Sequence, residues 1–198
     1  MTTPPTFVSG AILTAAQMNS IGMWRNTACT VTSAGGTSAT ASNGVITIGS
    51  NNTSITVSNA FSSDYDNYRI TVSGGVGSSA LSGILLTLGS TVTGYYYGGY
   101  SIQYTVATLS ADRQANGSSW QVGYSTTSAL SASVELQSPN LAKNTMFQAA
   151  GAGAGTTSYA MNFGGVLIDT TQYTAFTITP SGGANCTGGT IMVYGYNK

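Results

Sequence analysis

Hydrophobic and polar positions alternate with a period of two along most of this chain, in short bursts separated by turn-forming residues. Successive side chains of a strand point to opposite faces, so each burst predicts a strand with one buried face. The pattern is clearest around residues 58–74. Ile55 and Val57 alternate with Ser54, Thr56 and Ser58; further on, Tyr68, Ile70 and Val72 alternate with Arg69, Thr71 and Ser73. Asn59, Ser62, Ser63, Asp64 and Asp66 form the polar turn between them, because short polar side chains hydrogen-bond nearby backbone. Phe61, carried on the turn, is placed to plug the end of a core. The unit reads strand, corner, strand.

The same texture predicts strands at 45–49, 54–58, 68–73, 83–89, 100–108, 119–124, 132–137, 144–150, 158–164, 174–179 and 190–196. Gly-rich turns punctuate them at 74–75, 151–155, 182–183 and 188–189, and Pro139 and Pro180 each stop a strand. Many short strands with frequent turn signals predict an all-β fold, an antiparallel β-sandwich of jelly-roll-like type.

The beginning of the chain reads differently. Thr14-Ala15-Ala16-Gln17 is a capping box, with Leu13 and Met18 in the positions of a hydrophobic staple. Met18 and Ile21 share a face, and Gly22 ends the short helix. A helix of this length is not stable alone. Its apolar side, with Phe7 and Trp24 nearby, needs a partner. Residues 30–43, rich in Ser, Thr and Gly around Gly35-Gly36, read as a flexible junction. The predicted organisation is an N-terminal attachment segment with a short helix over 1–29, a junction over 30–43, and the sandwich over 44–198.

Composition sharpens the picture of the surface. Of 198 residues 41% are hydrophobic but only 5% are charged, where globular chains average about a quarter. Ser, Thr, Gly, Asn and Tyr must make most of the exterior. A surface with so little charge repulsion suits a protein packed against copies of itself or against neighbours. Formal net charge is zero, and Arg25, Arg69, Arg113, Lys143 and Lys198 are scattered singly. Nucleic-acid binding needs several cations on one face and is not expected. No apolar run approaches the roughly 18 residues that span a bilayer, so membrane insertion is not expected. No signal peptide is visible, and synthesis in a cytoplasm is expected. Cys29 and Cys186 are the only cysteines; a bridge is open to them, but two free small residues are the favoured reading in a reducing compartment.

Candidate chemistry is sparse. Histidine, the commonest general base and metal ligand, is absent. Asp64 and Asp66 are the only neighbouring carboxylates, and they lack the partners of a recognised calcium loop. Turn capping is their favoured role, with no metal or cofactor and no enzymatic activity expected. The unusual stretch is Gly94-Tyr95-Tyr96-Tyr97-Gly98-Gly99-Tyr100. A strand alternates faces, so three consecutive tyrosines cannot all enter one core. Tyr95, Tyr96, Tyr97 and Tyr100 are therefore candidates for a contact surface, toward a subunit or a receptor glycan, with core packing as the plain alternative.

Four stretches resemble bacteriophage virion proteins. FVSGAILTAAQMNSIGMW is similar to the start of many phage tail-fibre and tail-associated proteins. AFSSDYDNYRITVSG, ELQSPNLAKNTMF and GGTIMVYGYNK resemble a domain common in phage structural proteins. The resemblance implies a place in the virion, on the tail or capsid surface, as a trimeric component without catalytic residues. No shaft repeats are present, which favours a short tail fibre or distal knob. Phe7, Leu13, Met18, Ile21 and Trp24 would attach the chain to other virion proteins, and the domain would meet a host surface glycan or protein. A purely structural role, as capsid decoration or tail adaptor, stays open beside host attachment.

Overall fold

The computed structural model describes residues 22–154 and 159–197, and every regular element within them is a strand. The helix expected after Leu13, with Phe7, Met18 and Ile21, lies outside the described residues. The chain supplies in turn β1 (Met23–Arg25), β2 (Thr30–Ala34), β3 (Thr40–Ser42), β4 (Val45–Thr47), β5 (Ser54–Ser58) and β6 (Asn67–Ser73). There follow β7 (Val76–Gly77), β8 (Ser82–Leu88), β9 (Tyr95–Gln103), β10 (Thr108–Gly117), β11 (Trp120–Ser125) and β12 (Leu130–Gln137). The last are β13 (Thr145–Gly153), β14 (Tyr159–Leu167), β15 (Phe176–Pro180), β16 (Cys186–Thr187) and β17 (Thr190–Tyr196). All their pairings are antiparallel.

Fifteen strands form one hydrogen-bonded sheet, and β7 and β16 pair separately. The sheet divides at β12. One edge of β12 takes β6 along residues 131–137. Its other edge is shared, with β11 on residues 130–132 and β13 on residues 133–137. Two runs leave this junction. The first is β10-β9-β14-β13-β12-β6-β17, with β1 and β4 on the far side of β17 and β3 beyond β4. The second is β11-β8-β15-β5-β2.

The corner unit joins the two runs. β5 pairs with β2 and β15, whereas β6 pairs with β12 and β17. The turn between them is pinned by Tyr68, whose hydroxyl donates to the Ser62 carbonyl at 2.8 Å and accepts from the Ser62 N–H at 2.7 Å. Phe61 lies edge-on to Tyr68 at 4.9 Å and meets Phe176 of β15 at 5.8 Å. It closes one end of the core. The alternating apolar positions of β5, β6, β12, β15 and β17 are buried in one cluster that both runs share. Each such side chain contributes roughly 1.5–3 kcal/mol of transfer free energy.

Three expectations need correction. Residues 30–43 are not a loose junction; they hold β2 and β3. The β-branched Thr30, Val31 and Thr32 pair in register with Ser58, Val57 and Thr56. Asn52, wholly buried, donates from its amide to the carbonyls of Gly35 and Thr37, each at 2.8 Å, and fixes the turn between β2 and β3. Gly36 there has φ of 48°, and an added Cβ would lie 1.6 Å from the Ser50 carbonyl oxygen. The boundary expected at 44 falls on the Asn43-Gly44 turn of the β3–β4 hairpin, both residues with positive φ. Second, the strand expected over 100–108 spans a turn: β9 starts at Tyr95 and ends at Gln103, and β10 returns antiparallel beside it. Third, β13 continues to Gly153 through the expected turn.

Cys29 and Cys186 are free and buried. Burial pushes each thiol from 9.0 up to about 11. An unfolded chain releases these protons near pH 9, while the folded chain keeps them until about pH 11. Stability is therefore full below the lower value and declines as pH rises through the window. The urea midpoint should fall between about pH 9 and pH 11, and less steeply in Cys186→Ala. A midpoint that is flat over that range would contradict this account.

Candidate functional site

The tyrosine run becomes the first half of β9, and strand alternation sorts it. Tyr95 points inward and is fully buried. Its hydroxyl accepts from the Leu88 N–H at 2.7 Å and donates to the Thr91 carbonyl at 3.2 Å, and burial pushes it up to about 12. Tyr97 also points inward and stacks on Phe163 at 5.4 Å. Both serve packing. Of the four candidates, only Tyr96 and Tyr100 remain on the outward face, with Tyr100 exposed.

Register then shows what joins them. Tyr100 lies opposite Asn162 on β14, Asn162 opposite Ala150 on β13, and Ala150 opposite Ser133 on β12. The adjacent outward row runs Gln148, Glu135, Arg69 and Tyr194, across β13, β12, β6 and β17. Residues on neighbouring strands of one face have Cβ atoms about 4.5–5.5 Å apart, so these side chains form a continuous surface. At its centre the Tyr196 hydroxyl donates to Glu135 Oε2 at 2.5 Å, and Arg69 Nε stands 3.5 Å from Glu135 Oε1. Arg69 also donates to the Ser133 hydroxyl at 3.1 Å. Partial burial, and then the bond to Glu135, raise the Tyr196 hydroxyl above its ordinary range. The half-exposed ion pair adds little stability. It does hold both charges in place and cancels them.

The other expected residues lie elsewhere. Trp24 is in β1, opposite Gly195 of β17, so it belongs to the sheet; its buried indole N–H has no acceptor among the described residues. Asp64 accepts from the Ser62 hydroxyl at 3.0 Å, and its N–H donates to that same hydroxyl at 3.3 Å. Asp66 lies in the same turn, and its carbonyl accepts from the Ser138 N–H at 2.8 Å. Among the described residues no three Cys, Asp or Glu side chains gather as a metal site would require. Arg69, Glu135, Gln148, Asn162 and Tyr196 were not singled out by sequence. Each sits at an ordinary polar position of an alternating strand, and only the register across five strands brings them together. Comparison with protein-family descriptions, curated proteins and solved structures finds no match to this chain.

Proposed function

We propose that this chain is a non-enzymatic structural protein of a bacteriophage virion, part of a short tail fibre or tail tip, acting in host attachment. The observation that supports it best is the outward face of the first run. It carries tyrosines, amides and one self-neutralised ion pair on a rigid strand frame, which suits recognition of a surface. The sequence resemblance supplies the setting. In this reading the two runs are the leaves of a jelly-roll-like β-sandwich. Trp120 of β11, in one run, stacks on Phe147 of β13, in the other, at 4.4 Å, as facing leaves require. The N-terminal segment attaches the chain to the particle, and three copies associate.

One observation favours the structural alternative, capsid decoration or a tail adaptor. The turn between β9 and β10 exposes Tyr104 and Val106 at 54% and 59%, and Leu109, at the start of β10, is exposed at 64%. Such an apolar tip suits contact with a neighbouring virion protein or subunit.

Antibody labelling of intact particles of the encoding phage, with sedimentation of the purified full chain, tests both readings. Label at the tail end and a species near three times 20.1 kDa are expected. Label confined to the capsid would select the structural alternative. Particles without label would overturn the virion assignment, and a stable monomer would overturn the trimer.

A further inference from the structure

Two depressions adjoin on the outward face where β13, β12 and β6 run side by side. One, of about 370 Å³, is lined by Asn67, Glu135, Gln137, Gln148 and Tyr196 among others. The second, of about 160 Å³, is lined by Ser133, Glu135, Gln148, Ala150 and Asn162. They share Glu135 and Gln148 and so form one trough. Its size is that of small-molecule sites, which occupy about 300–1,000 Å³.

The polar groups of the trough select the ligand. Glu135, the charged residue of the lining, is held by Tyr196 and paired with Arg69 beside the trough, so its charge is offset. An anion meets the Glu135 carboxylate, and a cation finds that carboxylate already paired with Arg69; neither gains a net opposite charge. What remains for a ligand is a set of amides on Gln148, Asn162, Asn67 and Gln137, exposed on their strands. Each amide offers an acceptor and two donors in one plane. A saccharide presents the complementary pattern, adjacent hydroxyls that each donate and accept. Gln148 and Glu135 lie directly opposite one another in the ladder, at the spacing that lets one pair of hydroxyls bridge them. Ala150, and Gly164 opposite Gln148, keep the floor low enough for a ring to settle. Tyr100, in register with Asn162, borders one end with an exposed aromatic face.

We infer that this trough is a binding site for an uncharged saccharide, with Gln148, Asn162 and Glu135 as its hydrogen-bonding residues. The biological setting rests on the host-attachment proposal; the binding itself does not. Saturation-transfer NMR on the full chain tests it, with D-glucose, D-galactose and N-acetylglucosamine as probes and inorganic phosphate as the anionic competitor. Transfer to the ring protons of at least one sugar is expected, unaffected by phosphate. Gln148→Ala should weaken binding about tenfold, the loss of a hydrogen-bonding group. Gln148 is exposed, so its truncation spares the core, and an unchanged unfolding curve verifies this. Should Gln148→Ala fail to fold, Asn162→Ala on the neighbouring strand carries the same expectation. No transfer from any of the three sugars, equal binding by the variants, or displacement by phosphate would overturn the inference. Sugar binding by a chain absent from particles would overturn host attachment and leave the trough standing. A tail-borne chain that binds none of these sugars would do the reverse.

Discussion

Trp120→Ala is expected to cost about 3–5 kcal/mol of unfolding free energy, the range for deleting a fully buried large aromatic. The Trp120 side chain is wholly buried. Its ring stacks on Phe147 at 4.4 Å and meets Tyr95 edge-on at 5.1 Å, so it joins β11 to both β13 and β9. Removing it leaves a cavity between the two runs that rigid strands cannot collapse to fill. Domains have about 5–15 kcal/mol in total, so the variant should be marginal or unfolded. Trp120→Phe is the informative contrast. The Trp120 indole N–H is buried without an acceptor among the described residues, and an unmet buried donor costs about 1–3 kcal/mol. Phenylalanine removes that penalty while keeping most of the ring. Its loss should be about 1 kcal/mol or less by urea denaturation followed by circular dichroism. An Ala variant that loses under about 1 kcal/mol would show that this ring does not join the runs.

The sequence marked the core well wherever a strand has one buried face. Ile55, Val57, Tyr68, Ile70 and Val72 alternate because every second position enters the cluster, and all five are buried. Phe61 was legible for a related reason: a large apolar residue in a polar turn has only the core end to occupy. β10 was not legible. Almost all of its side chains are exposed on both faces, so no core imprints a period on Thr108–Gly117. The apolar alternation of Ile102, Tyr104 and Val106 suggested a strand running straight on, but the chain reverses there, with Ala107 at φ 50°. Ser- and Thr-rich β2 and β3 were hidden by composition, since a run of small polar residues looks the same in a loop and at a sheet margin.

The candidate site was half legible. That some tyrosine of the run must face outward follows from alternation alone, but which ones depends on phase. Tyr95 sets the phase through its buried hydroxyl bonds, which leaves Tyr96 and Tyr100 outside. The trough residues come from five strands between residues 67 and 196, and their meeting is a property of register. No local pattern encodes it.

Two adjacent glycines on β14 should respond very unequally to the same substitution. A Cβ on Gly165 would lie 2.0 Å from the Tyr96 carbonyl oxygen and 2.7 Å from Tyr97 Cα, both backbone atoms of the neighbouring β9. A flexible side chain could swing away; the ladder between β14 and β9 cannot. A Cβ on Gly164 meets nothing closer than the Phe147 carbonyl oxygen at 3.4 Å, an ordinary contact. Gly165→Ala should therefore cost about 3 kcal/mol, the upper part of the overpacking range. Gly164→Ala should stay within about 0.5 kcal/mol of the parent, helped by the lower entropy an alanine has to lose. The damage from Gly165→Ala has a direction. Among the described residues β10 pairs only with β9, so pushing β9 away from β14 loosens the whole hairpin that carries Tyr96 and Tyr100. Limited proteolysis should then cut within residues 95–117 in Gly165→Ala, while the parent and Gly164→Ala resist. Equal stability of the two variants, or cleavage spread evenly over the chain, would mean that this close backbone approach does not position the tyrosine-bearing strand.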